Sequence, residues 1–217
     1  MITFSGIDCS GKSTQIDLIK KYYEDKGVKV RVIWSRGGYT SWVEGFKTLI
    51  RQDKALEGEE KEAYRQNAVK ASWKNKLYLK ASIWDMLRFY GIVYKWIELT
   101  GTLIICDRYV WDTYIDFLMR YSQYDFENWF CWKLMIKLIK KPTHSFVFTI
   151  PAEESMRRSN LKFEPRPEPI EKRRIRIDHY MEEIKNNRWM YTVDCMRPIP
   201  EITEEVIKIL EGTGKTK

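Results

Sequence analysis

Apolar and polar positions alternate along the chain in two rhythms. Short β-branched or apolar runs at Ile2 to Ser5, Val28 to Trp34, Thr102 to Cys106, His144 to Ile150 and Trp189 to Val193 read as strands, and helical repeats fill the spaces between them. Such alternation predicts βαβ units, and therefore an α/β fold with a five-stranded parallel sheet and helices on both faces. Ligands of open α/β sheets bind where the carboxyl ends of the strands meet, so the residues just past each run are the candidates for chemistry.

The helical segments differ in character. Ser13 to Lys26 is periodic and stops at Gly27, a conventional helix end. Asp53 to Lys80 is charged and helix-forming, interrupted by Gly58. Trp129 to Lys141 is apolar on one face, with Lys133, Lys137, Lys140 and Lys141 interleaved. That pattern suits a bilayer surface, and suits better a core-facing helix with solvated lysines. Met156 to Arg174 departs from both rhythms, holding three of the seven prolines and seven basic residues against three acids. A Pro-punctuated basic segment interrupts regular structure, so this one is expected to be exposed and mobile.

Composition narrows the partners. A chain of 217 residues fits one domain spanning 1–217. Its 38 Lys+Arg against 30 Asp+Glu, formally +8, suit a polyanionic ligand, nucleotide or nucleic acid. No repeated basic-aromatic strand pattern of an RNA-binding sheet is present. Cys9, Cys106, Cys131 and Cys195 lack paired spacing, so neither a zinc site nor a disulfide framework is suggested, and a reducing, cytoplasmic location follows. No apolar run approaches the roughly 20 residues that span a bilayer, and the first residues are already strand rather than a signal segment.

The chemistry starts at GIDCSGKS, Gly6 to Ser13. Gly6, four residues, then Gly11-Lys12-Ser13 fits the phosphate-loop pattern GxxxxGK[ST], here in the strand–loop–helix setting that the pattern requires. Glycines let the backbone bend around a polyphosphate, amides from Asp8 to Ser13, including Cys9 and Ser10, point at it, and the helix that follows, through Thr14, adds positive potential. Lys12 reaches the terminal phosphates and the Ser13 hydroxyl can ligate Mg²⁺. A second cluster, Asp107-Arg108-Tyr109, ends the run LIICDRY. An acid there can hold Mg²⁺ through water, and the arginine can grip phosphate oxygens in a bidentate manner.

From FSGIDCSGKSTQ through LTGTLIICDRY to TVDCMRPIPEITEEV, nearly the full length resembles the thymidylate kinases among the P-loop nucleoside monophosphate kinases. The resemblance implies a P-loop kinase fold with a basic lid at about 156–174. It implies transfer of the γ-phosphoryl of ATP to dTMP with Mg²⁺, and a homodimer. It would give Asp8 a place at the acceptor sugar or the water network near the metal, and would set Arg36, in VIWSRGGYT, on the acceptor phosphate with Arg108. Trp84 and Arg88, in ASIWDMLRFYG, stand where a ring and a guanidinium enclose the base, a spacing that places both on one helical face. The resemblance also sets Tyr109 at the acceptor; after Asp107-Arg108-Tyr109 the chain departs from the family's Ser-Ser-x-Ala-Tyr-Gln and reads VWDTYIDF, which puts Asp112, Asp116 and Phe117 at the places of the family's acceptor contacts. Cys9 follows Asp8 where some relatives carry an arginine, so the resemblance moves the catalytic arginine to the basic segment: Arg158 first, then Arg166, with Arg157 at the ATP phosphates.

Two other functions stay open at this level. One keeps the fold with a different nucleotide or small phosphorylated metabolite as acceptor, which the acidic Asp112 and Asp116 would favour. The other is a P-loop switch or nucleic-acid-binding protein, which +8 permits.

Overall fold

The computed structural model describes residues 1–35, 73–162 and 167–212. Arg36, Arg166 and the first part of the charged stretch, 53–72, lie outside them.

Five parallel strands form one sheet: β1 (Ile2–Gly6), β2 (Val30–Trp34), β3 (Leu103–Asp107), β4 (His144–Thr149) and β5 (Tyr191–Asp194), in the order β2-β3-β1-β4-β5. β1 is central and buried at every position, as a strand covered on both faces requires. Its register with β4 sets Phe4 beside Phe146, whose rings stack 5.3 Å apart. Because β1 lies between β3 and β4, the chain leaves it toward one side of the sheet and later crosses to the other. The crevice at that reversal lies beyond Gly6.

Helix α1 (Lys12–Asp25) follows β1 and buries Gln15, Ile16 and Ile19. It ends at Gly27, whose φ of 77° is open to glycine, with the Gly27 N–H bonded to Glu24 O and the Val28 N–H to Tyr23 O. That cap draws Val28 into the helix end, which is why β2 starts at Val30 rather than at Val28. Trp189, placed in a strand by its sequence, instead packs against Tyr180, ring centroids 5.5 Å apart, and β5 begins at Tyr191.

The other described helices are α2 (Trp73–Arg88), continued by a π-helical turn over Phe89–Val93, α3 (Tyr94–Leu99), α4 (Val110–Tyr121), α5 (Phe130–Leu138), α6 (Ala152–Leu161), α7 (Ile170–Lys185) and α8 (Ile199–Leu210). The chain forms two compact units, one of Met1–Ser35, Ile97–Ile115 and Lys141–Lys217, the other of Arg36–Trp96 and Asp116–Lys140. The first holds the sheet, α1 and α6 to α8, with α8 burying Ile202, Val206 and Ile209. The second is built around aromatic edges, Phe117 on Phe126 and Phe126 on Trp132 at centroid distances of 5.6 and 5.1 Å. Its helix α5 buries Cys131, Trp132 and Met135 and exposes Lys133 and Lys137, the core-facing alternative for that stretch.

The basic segment needs correcting. The span 156–174 is not irregular throughout: α6 runs to Leu161 and α7 starts at Ile170, so both ends are helical. Pro169 caps α7 in extended backbone, where a proline ring is compatible with a helix start. Arg173, within the stretch expected to be exposed, is buried. No described helix is long and apolar enough to cross a membrane.

Candidate active site

The loop after β1 is shaped by backbone that few residues tolerate. Gly6 has φ 134°, and a Cβ there would lie 2.4 Å from Phe148 O on β4. Only glycine lets the loop leave the sheet this close to the neighbouring strand. Cys9 at φ 61° and Arg108 at φ 73° are two of three described non-glycine residues in the left-handed region, and both stand at this loop. Such backbone persists only where the surroundings impose it.

Those surroundings are visible for Arg108. Its N–H bonds to Phe4 O at 2.8 Å, which extends the β3–β1 ladder by one step past the strand end. The left-handed turn then folds the side chain back, so that Nη1 donates to Gly6 O at 3.1 Å and Nη2 pairs with Asp8 Oδ1. The two clusters singled out from the sequence, GIDCSGKS and DRY, therefore form one site.

Lys12 is buried at the start of α1, where Nζ donates to Ile7 O at 2.6 Å, to Gly6 O at 2.9 Å and to Ser10 Oγ at 3.3 Å. Burial, with the Arg108 guanidinium adding to it, lowers its ammonium to about 8, although Asp107, Asp8 and Asp112 pull the other way. Gly11 caps α1 without a side-chain bond, and Ser13 and Thr14 are exposed in the first turn. The helix thus presents its positive end and two hydroxyls at the loop.

Asp107 ends β3. Its Oδ1 is buried with no hydrogen-bond partner, and burial raises its carboxyl above the usual range against the opposing pull of Lys12 and Arg108. A buried carboxylate oxygen without a donor suits a hard cation. Among the described residues no three His, Cys, Asp or Glu side chains gather into a metal cage. Asp107 and the Ser13 hydroxyl fit a Mg²⁺ that takes its other ligands from water and phosphate.

Asp112, expected at the acceptor, is bound instead to protein donors. Oδ2 accepts from Ser5 Oγ at 2.6 Å and Tyr109 N at 2.9 Å, and Oδ1 from Tyr180 Oη at 2.5 Å and Gly6 N at 3.3 Å. Arg108 Nη1 lies 3.7 Å from Oδ1. This carboxylate ties the end of β1, the start of α4 and helix α7 together at the loop's first residue. Tyr109, also expected at the acceptor, is buried with its N–H in that network.

On α6, Arg157 and Arg158 share Glu154, at 2.7 and 2.6 Å, and together hold its carboxyl down to about 2. Arg158 also donates from Nη2 to Cys195 O at 2.9 Å, next to the end of β5. In the second unit, Trp84 is 50% exposed, so it is no core residue, and Arg88 one turn on pairs with Asp85 at 2.9 Å.

Residues that the sequence did not single out complete the loop's support: Ser5, Tyr180, Ser155 and Arg173. Arg173 and Tyr180 are both buried, seven positions apart on one face of α7, and that spacing is the only signal of them in the sequence.

A family model described as thymidylate kinase matches residues 4–206. Among solved structures, the chain is similar to a thymidylate kinase from Ehrlichia chaffeensis, 24% identical over 97% of each chain with a TM-score of 0.49. No curated protein matches it.

Proposed function

The chain belongs to the thymidylate kinase family, and on that premise we propose that it phosphorylates dTMP with ATP at the joined Gly6–Ser13 and Asp107–Tyr109 cluster. As a member of that family it is a phosphotransferase acting on nucleotides, with ATP as donor. The observation that carries the site assignment is the Arg108 side chain folded onto Gly6 O and Asp8. It sets a guanidinium beside the loop whose glycines, Gly6 and Gly11, admit a polyphosphate.

Phosphoryl transfer leaves a protein little covalent work, so the residues act by positioning and by neutralising charge. Backbone amides from Asp8 to Ser13 and the start of α1 hold the donor phosphates. Lys12, already beside the loop, turns its charge from the carbonyls of Gly6 and Ile7 toward the transferred group. Mg²⁺, held by Ser13 and through water by Asp107, would supply charge neutralisation at the donor oxygens. Arg108 and Arg36 hold the acceptor phosphate, Asp8 orients Arg108 and the acceptor sugar, and Trp84 with Arg88 encloses the base. Arg158 exchanges Glu154 for the phosphoryl group in flight, with Arg166, outside the described residues, as the second candidate for that charge and Arg157 at the ATP phosphates. The four cysteines, none of them in a disulfide, accord with a cytoplasmic location, and the family resemblance with a homodimer.

An ADP-release assay over a panel of dTMP, dUMP, dCMP, dGMP and dAMP tests this reading. Fastest release with dTMP is expected. Release with dTMP no faster than ATP hydrolysis alone would overturn it.

A further inference from the structure

Arg173 of α7 is 2% exposed, and its guanidinium donates in three directions: Nε to Glu168 O at 2.8 Å, Nη2 to Ser159 Oγ at 3.1 Å, and Nη1 to Ser155 Oγ. Ser155, fully buried on α6, in turn bonds to the carbonyl oxygen of Asp8 at 2.8 Å. Chemistry fixes the sense of this chain. Arginine has no acceptor and a carbonyl has no donor, so the Ser155 oxygen must accept from Arg173 and its single proton must go to Asp8.

That bond governs more than one oxygen. The Asp8 carbonyl and the Cys9 N–H lie on opposite edges of one planar trans peptide. Drawing the carbonyl toward α6 turns the Cys9 N–H to the edge facing away from α6. Cys9 holds φ 61°, a backbone state that a non-glycine residue keeps only under constraint, and the Ser155 bond to the adjoining peptide supplies one.

We propose that Arg173, acting through Ser155, is a positioning residue for the donor nucleotide: it holds the Asp8–Cys9 peptide so that the Cys9 N–H is aimed at the ATP phosphates. The inference rests on the reading of the loop as the ATP site. A plain fastening of α6 to α7 makes a different prediction, because Ser159 takes an arginine bond too, about 6 Å farther along α6 than Ser155. Loss of either hydroxyl should then be equivalent.

The test compares Ser155→Ala with Ser159→Ala in the full chain, measuring Mg·ATP affinity by calorimetry, KM for ATP and for dTMP, and the thermal midpoint. Ser155→Ala is expected to weaken ATP binding by about tenfold, the scale of one charge-assisted bond to phosphate, with the dTMP KM unchanged and ATP affinity of Ser159→Ala at the wild-type level. Equal ATP affinities in the two variants would overturn the proposal. If Ser155→Ala does not fold, Ser155→Cys keeps the volume while weakening the donor, and the same comparison decides. Wild-type protein that binds ATP but transfers nothing to dTMP would overturn the dTMP reading alone, leaving the affinity comparison valid. Wild-type protein that binds no ATP would overturn both.

Discussion

The Tyr180 hydroxyl donates to Asp112 Oδ1 at 2.5 Å, and through that carboxylate helix α7 reaches the N–H of Gly6 at the mouth of the phosphate loop. Tyr180→Phe removes one donor to a buried anion and should lower stability by about 1.5 to 3 kcal/mol in urea denaturation. Asp112→Ala leaves Arg108 without one of its acids and several donors unmet, and should cost about 3 to 5 kcal/mol. Equal, small losses for the two would show that Asp112 is not the centre of this network.

Lys12 predicts opposite pH trends for binding and for folding. Its ammonium titrates near 8 in the free protein, and bound polyphosphate favours the charged form, so ATP affinity should fall as pH rises above about 8, by up to tenfold per unit. The unfolded chain keeps this proton up to its ordinary 10.5, so between 8 and 10.5 it binds more protons than the native state and stability rises with pH. Calorimetry at pH 8.5 in buffers of differing ionisation enthalpy should show proton uptake on ATP binding, absent in Lys12→Met. Both trends are read as the difference between wild type and that variant, which removes the contribution of tyrosines.

Asp107 sets stability against function. Its carboxyl is raised by burial, so the metal-free protein loses stability as pH climbs from the ordinary carboxylate value of 3.8 through the raised one. Asp107→Asn should raise the thermal midpoint at pH 7 while weakening apparent Mg²⁺ affinity in the kinase assay by about 10- to 100-fold. A variant with a higher midpoint and unchanged Mg²⁺ dependence would remove Asp107 from the metal site.

Arg158→Ala should lower kcat by about a hundredfold with little change in ATP affinity, as for loss of a charge that acts chiefly in the transition state. Arg157, whose described partner is Glu154 alone on an exposed face, should matter less. Single-turnover rates measure the step directly, and an unchanged rate in Arg158→Ala would return the arginine to its ion pair with Glu154.

Trp84→Ala tests the base. Half-exposed, the ring should contribute no more than about 1 kcal/mol to folding. If it stacks on the acceptor base, the dTMP KM should rise by about tenfold or more. A normal KM in the folded variant would assign the base to other residues.

Much of this protein is written in stretches of a few residues, and those stretches were legible. The apolar runs around Phe4, Ile105 and Val147 mark three of the sheet's strands because burial on both faces demands unbroken hydrophobicity. Gly6, Gly11 and Lys12 mark the loop because a close backbone approach and a nearby charge are met by residue types at set spacings. Gly27 marks the end of α1 by its own φ. What the chain could not declare was which distant groups would meet. Asp112 looks like an acceptor ligand until Tyr180, 68 residues away, and Ser5, 107 away, fill its lone pairs. Arg173 is one of seven basic residues in a run, and only the folding of α7 onto α6 buries it, whereas Arg157 and Arg174 stay at the surface. Ser155 carries no local sign of its bond to Asp8, 147 positions earlier. Periodicity and spacing are local quantities, fixed by neighbours along the chain, whereas a polar side chain's role depends on which donors and acceptors share its buried space, and packing alone brings those together.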